Sequence, residues 1–396
     1  MGRKSMLPAG GANKFQKIKQ MCKEAEGKGM KIYRLSIGQP SGPALASARM
    51  AASKAVLSNM ESMHEYQDNG SPGVPDFAKR FVAAHFPREA REVNLGKMSF
   101  LPIPGIKPML GLIPLACGGS GGDKLMVATM TKPGYPTPAD QCNYQGHFNY
   151  ALATNPGNEF LFPVENIEES VDLLMLNYPH NPSGQVASVS FWHGVCRYCE
   201  EHDIRVFNDA AYAALAHNSS ATMLAEIAPL YPDLSWAEAL SASKVIGNGT
   251  GWRIGAICGS EDFVSDIATI KGNTDSGFFA PAAQGVITSV EEDQRGIAEC
   301  REVYARRINF INNLLEDYEM RLAVEPRAGF FTLWMSPRQA FGQDVKDAEE
   351  FNNLMIANTG IVGVPFGEYI RYAVTSDIES WEKPLRDGFK KARVAY

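Results

Sequence analysis

Four separated stretches of this sequence carry side chains that could do chemistry. Asn181-Pro182-Ser183-Gly184 follows an apolar run; taken alone, it is a turn built from residue types that favour chain reversal. Asp209-Ala210-Ala211-Tyr212 sets a carboxylate and a phenol three residues apart at the end of a short apolar run. Ser241-Ala242-Ser243-Lys244 is followed by Gly247-Asn248-Gly249-Thr250-Gly251-Trp252-Arg253, so a lysine and an arginine flank a glycine-rich loop. Tyr369-Ile370-Arg371-Tyr372-Ala373-Val374 places an arginine in an otherwise apolar strand pattern. A lysine amine in a partly desolvated pocket can have the depressed pKa that a nucleophile needs. Each stretch by itself also fits a structural role.

The elements around these stretches predict their placement. Residues 124–129, 171–176 and 205–208 are apolar runs ended by Pro, Gly or Asn, with helical patterns between them. Near-continuous apolar strands alternating with helices imply a mainly parallel α/β sheet covered on both faces. In such sheets chemistry sits beyond the carboxyl ends of the strands, where Tyr135, Asn181 and Asp209 all fall. Residues 31–37 alternate like a short strand, and 12–30 form a lysine-rich surface helix with Phe15, Ile18 and Met21 on its apolar side. The last hundred residues differ: a long charged helix over 295–319 and short strands near 329–334 and 369–374 imply a smaller α+β domain.

Composition narrows the class. The 396 residues carry 38 Lys+Arg against 44 Asp+Glu, a formal net charge of −6, with 45% hydrophobic residues. Disorder needs low hydrophobicity and high net charge, and a general nucleic-acid binder needs a basic surplus; both classes are excluded. The length exceeds the roughly 250–300 residues at which single cores stop growing, so two domains are expected. Seven scattered cysteines are no disulfide framework, and Cys196-Arg197-Tyr198-Cys199 lacks the second pair of a zinc site, so no metal is expected; that stretch reads as a helix over 191–204. The start has no apolar signal-peptide core and no run of 18 apolar residues occurs, so a cytoplasmic protein without membrane spans is the default expectation.

Taken in order, the motifs N-P-[ST]-G, D-x-A-Y, S-x-S-K, G-W-R-x-G and x-I-R-x-A resemble those of the class I/II aminotransferases, a family of fold-type I pyridoxal-phosphate enzymes. The likeness runs from Ile37-Gly38-Gln39-Pro40 to Arg371. It implies pyridoxal 5'-phosphate as cofactor, an amino acid and a 2-oxo acid as substrates, and a homodimer with shared active sites. Lys244 would form the Schiff base with the cofactor aldehyde and shuttle the proton. Asp209 would face the pyridine nitrogen, so that the ring acts as an electron sink. Tyr212 and Asn181 would bond the phenolic oxygen, and Tyr135 would stack on the ring. Arg253, Ser241 and Ser243 would hold the phosphate, together with the turn Gly105-Ile106-Lys107 at a helix start. Tyr66 would reach the phosphate of the neighbouring subunit, while Arg371 and Gly38 would bind the substrate carboxylate, with Asn181 also in the substrate site. Lys271-Gly-Asn-Thr-Asp275-Ser276-Gly277, with Gly105-Ile106-Lys107 and Asp209–Tyr212, also resembles the LL-diaminopimelate aminotransferase branch.

Three features depart from the family's usual pattern. Arg253 follows Lys244 by nine residues rather than eight, Tyr66 precedes Gly73 by seven rather than five, and Ile106 replaces a small or hydroxylated residue. The resemblance implies a cofactor domain over 47–290, with the small domain built from 1–46 and 291–396. Other pyridoxal-phosphate reactions, such as C–S β-elimination, decarboxylation or oxidation, need the same Lys244 and Asp209. Ser241-x-x-Lys244 also matches the S-x-x-K of penicillin-interacting acyl-enzymes, but the S-D-N and K-T-G companions are absent. The glycine stretches 118–122 and 247–251 lack the strand–helix setting of a dinucleotide loop.

Overall fold

The computed structural model describes residues 14–87, 95–119, 124–217 and 221–396. Part of the 118–122 glycine stretch and the first residues of the predicted 12–30 helix lie outside them. The N-terminal helix, Lys14–Gly27, seats Ile18, Cys22 and Ala25 against Ile356 and Val362, with Met21 half-buried. The expected strand over 31–37 is shorter: only Tyr33–Arg34 (β1) pairs, in parallel with Ile361–Val362. A two-residue ladder suffices there because Leu35 is already anchored in the small core.

The central sheet comprises β2 (Ser99–Ile103), β3 (Met126–Thr129), β4 (Phe148–Ala151), β5 (Leu173–Leu176), β6 (Arg205–Asp209), β7 (Trp236–Ser241) and β8 (Gly255–Gly259). Their spatial order is β2-β8-β7-β6-β5-β3-β4, and β8 alone runs against the others. Every residue of β5, β7 and β8 is buried, as a sheet covered on both faces requires. Alternation sends Leu174, Leu176, Val206 and Leu240 into one core, with Trp192 and Val195. Leu173, Met175, Phe207 and Ala239 enter the other, with Met109, Ile113 and Phe263. Cys196 and Cys199 sit buried and unbridged on the Val189–Glu201 helix, and burial pushes both thiols up. The pair is core packing on a helix.

A second, three-stranded antiparallel sheet follows. After β9 (Phe331–Met335) come a two-residue hairpin, β10 (Gln339–Ala340) and β11 (Gln343–Asp344), then β12 (Ile361–Val362), β13 (Val364–Phe366) and β14 (Tyr369–Ala373). The order is β13-β14-β9. Its core holds Phe330, Phe331, Trp334, Ile370 and Tyr372 with Ile308 and Ile311 of the Gln294–Glu316 helix.

One ion pair with a buried ammonium braces the large body. The Lys271 ammonium is fully enclosed and donates to Asp275 at 2.8 Å, to Asn69 at 3.0 Å and to the Asp68 carbonyl at 3.4 Å. Ser276 accepts from the Gln67 and Asp68 backbone, so the segment carrying Tyr66 is held to this corner. Breaking a buried pair from one side leaves an uncompensated charge. Lys271→Met should therefore cost about 3–5 kcal/mol in urea unfolding. Adding Asp275→Leu should recover part of the loss; an unchanged midpoint in the single variant would count against the brace.

Candidate active site

Each element of the site ends at one edge of the central sheet. β6 terminates in Asp209, and β5 leads through Asn177 into the turn that carries Asn181. β7 ends at Ser241, whose hydroxyl accepts from the Ser243 amide at 3.1 Å and starts the turn of helix Ala242–Val245 that presents Lys244. β2 leads to Gly105 and the Ile106–Pro114 helix. Because β8 runs the other way, its amino end brings Arg253 to the same edge. Arg371 comes from β14, in the other sheet.

The charges there are coupled. Lys244 Nζ donates to the Gly38 carbonyl at 3.2 Å and stands 5.7 Å from the Phe330 ring centre. Burial pulls its ammonium down to about 8; Asp209 opposes this, while Arg253 and Arg371 reinforce it. Burial pushes the Asp209 carboxyl up to about 6, against the Ala211 amide that donates to it at 3.1 Å and the charge of Lys244. The Tyr212 phenol is held far above its ordinary value by burial. Arg371, only 3% exposed, donates to Asn181 Oδ1 at 2.7 Å and to the Ser36 carbonyl at 3.3 Å. Its guanidinium lies 4.0 Å from the Phe331 ring centre and 5.4 Å from that of Phe366. Its Nε is buried without a hydrogen-bond partner, and no carboxylate pairs with it among the described residues. A buried cation without an anion is costly unless a ligand supplies one.

A second anion cradle lies at Gly105. This residue has φ +80°, and a Cβ there would fall 2.5 Å from Arg253 Nη2, so glycine lets the guanidinium cross the helix start. The glycine loop runs between Lys244 and Arg253. Gly247 has φ +73°, Asn248 donates to the Gly42 carbonyl at 3.0 Å, and Arg253 donates to the Thr250 carbonyl at 3.1 Å. Backbone amides at a helix start beside an arginine suit a phosphate. With a depressed lysine, a buried carboxylate and this cradle on one edge, the residues fit the phosphate, aldehyde and ring nitrogen of the cofactor implied by the motifs.

The remaining expected residues divide. Tyr135 is half-buried against the core that holds Phe207 and Ala239, Ile106 is buried in that core, and Lys107 is exposed on the same turn. Ser243 is buried behind Ser241. Tyr66 stands apart at 77% exposure, and the neighbouring Gln67 takes the buried place. Sequence reasoning missed Asn177, which donates to the Asp209 carbonyl at 2.7 Å and accepts from the Asn181 amide at 3.0 Å. Its place just before Tyr178-Pro179 was the available signal. It also missed the rings on Arg371, which nothing in the local sequence pairs with it. A cavity of about 580 Å³ at the opposite sheet edge, beside Cys117, Asp172 and Arg205, includes none of these residues.

Comparison with known proteins identifies the family. Residues 30–378 match the family model for aminotransferase class I and II. The chain is 30% identical to the LL-diaminopimelate aminotransferase of Syntrophobacter fumaroxidans, over 92% of each chain. It is 29% identical to that of Methanocaldococcus jannaschii, over 91% of this chain and 85% of the relative. Among solved structures, the aspartate aminotransferase of Rhizobium meliloti superposes with a TM-score of 0.83 at 18% identity, covering 99% of this chain and 100% of the other. Substrate-bound BacF of Bacillus subtilis gives 0.82 at 22% identity, with 98% of each chain covered. The chain belongs to the class I and II aminotransferase family, and its reaction is the pyridoxal-phosphate-dependent transfer of an amino group between an amino acid and a 2-oxo acid.

Proposed function

We propose that the site acts on L-amino acids held by Arg371, and that Lys244 is its covalent and proton-moving residue. The observation that carries this reading is the buried guanidinium of Arg371, with a free Nε and no anion pairing with it among the described residues, close enough to Lys244 to help pull that lysine down to about 8. The cofactor, when bound, supplies an aldehyde and an electron-withdrawing ring. Gly105, Ile106, Lys107, Ser241, Ser243 and Arg253 hold its phosphate, and Tyr135 covers its ring. Asp209 holds a proton on the ring nitrogen; Tyr212 and Asn181 bond the ring oxygen. The amine of Lys244 would take the substrate α-proton and redeliver it, while Gly38 and Arg371 would keep the carboxylate still.

Tyr66 extends the reading to a homodimer, in which this exposed phenol completes the phosphate site of a second copy. Met50, Leu57 and Met60, with Phe279 at the head of the adjoining Ala280–Glu292 helix, are exposed apolar side chains suited to such a contact. Residues 47–290 would then be the cofactor domain, with 1–46 and 291–396 forming the small domain of a cytoplasmic enzyme. Among the described residues, no helix is long and apolar enough to cross a membrane.

LL-diaminopimelate is the first amino donor to test, because relatives of that name match along the chain. A panel of donors with 2-oxoglutarate and pyruvate decides it. Product amino acid formed in step with oxo acid consumed supports transamination; ammonia released instead would favour β-elimination. A pH prediction accompanies this. Attack on an aldehyde needs the neutral amine, so cofactor capture by the stripped protein should speed up with rising pH. It should level off above about 8, the value burial sets for Lys244, rather than near the ordinary lysine value. Stopped-flow absorbance across pH measures this, and a rate still climbing through pH 10 would contradict it.

A further inference from the structure

Glu238 is the one acidic side chain of β7, and it points into the core from the middle of the strand with no exposed surface. Its register partner across the ladder is Asn208 of β6. Three groups reach its carboxylate, and all are donors: Asn208 Nδ2 at 2.7 Å, the Leu224 amide at 3.1 Å and the Ala225 amide at 2.9 Å. Among the described residues, no cation pairs with it. Burial pushes its carboxyl up to about 7, and the three donors pull against that. A carboxyl buried without a cation depends on such donors, and here they are three.

Those bonds lead to the active site. With one Nδ2 proton committed to Glu238, Asn208 gives the other to the Tyr178 carbonyl at 2.9 Å and accepts from the Tyr178 amide at 2.9 Å. The side-chain amide thus grips both backbone groups of the residue that opens the turn to Gly184. Within that turn, His180 bonds to Gln185 and Ser183, and Gly184 bonds to His180. Its polar ties back to β6 are Asn177, on Asp209, and Asn208, on Tyr178. At its tip, Asn181 accepts from Arg371.

We propose that Glu238 is a positioning residue for the amino-acid site: by fixing the Asn208 amide it sets the backbone at Tyr178, and through the turn it sets Asn181 against Arg371. The proposal rests on the reading of Arg371 and Asn181 as substrate-binding residues. The carboxylate cannot be replaced by an amide of the same size. Every partner is a donor, so a glutamine must turn its NH2 toward another donor whichever way it is flipped.

The test uses the cofactor-loaded enzyme and the Kd of 2-oxoglutarate by calorimetry, beside KM and kcat for the same oxo acid. Glu238→Gln should weaken both Kd and KM by about ten-fold while kcat changes less than about three-fold, the signature of lost binding rather than lost chemistry. Asn208→Ala, which cuts the link but leaves Glu238 its two backbone donors, should reproduce the split and serves if the glutamine variant does not fold. In an Asn181→Ala background, Glu238→Gln should add less than about two-fold to Kd, because the path is already cut. A variant that only lowers the melting temperature, or a ten-fold loss that persists in the Asn181→Ala background, overturns the proposal. If Arg371→Ala and Asn181→Ala themselves leave Kd unchanged, it is the substrate-site reading that fails.

Discussion

Replacing Lys244 by alanine should lower amino-group transfer by at least about 10³-fold, because one side chain supplies both the nucleophile and the proton carrier. The surroundings favour that double role. Burial, Arg253 and Arg371 bring its ammonium down to about 8, so a useful share is neutral near neutral pH, while Asp209 keeps the shift from going further. Two measurements apply. Borohydride treatment of the wild type with cofactor should fix the cofactor mass on the peptide that contains Lys244, and the variant should give no such peptide. If the label appears on another lysine, the assignment is wrong whatever the rate. Lys244→Arg should not rescue, since a guanidinium stays protonated and cannot attack.

The second large effect is expected at Arg371. Its alanine variant should weaken binding of the amino acid and the oxo acid by roughly 2–5 kcal/mol, the cost of leaving a desolvated carboxylate unpaired. That corresponds to roughly thirty- to several-thousand-fold in Kd. Arg371→Lys should recover only part, because a point charge cannot reproduce the planar fork or the face-on contacts with Phe331 and Phe366. Titration of the visible absorbance with 2-oxoglutarate reads the Kd directly. An unchanged Kd in the alanine variant would remove Arg371 from the substrate site and leave its buried, anion-free guanidinium without an explanation. The two variants should also differ in kind: Lys244→Ala loses chemistry and keeps carboxylate binding, whereas Arg371→Ala loses binding first.

The strand ends that carry several of these residues are legible in the sequence alone. Tyr135, Asn181 and Asp209 each follow an apolar run, and the end of a run is a local signal: the hydrophobic pattern stops where the strand leaves the covered sheet. The predicted strand over 205–208 proved one residue longer, ending on Asp209 itself. The two-residue extent of β1 was not readable, because it depends on which strand lies alongside. Asn177 and Glu238 were passed over for a related reason. An asparagine before a proline reads as turn chemistry, and a glutamate inside Trp-Ala-Glu-Ala-Leu reads as a flaw in a strand. Each acquires a purpose only when its partner on β6 is known.

By itself, the sequence determined the covered parallel sheet, the family and the cofactor chemistry, because hydrophobic periodicity and motif order are properties of the chain. The tertiary structure decided which groups face one another. Arg371 and Asn181 are 190 positions apart, and Lys244 and Gly38 are 206, so no spacing rule links them. It also decided their protonation, since Lys244 at about 8, Asp209 at about 6 and Glu238 at about 7 are set by burial. Desolvation sums over every element packed around a group, whichever part of the chain it comes from.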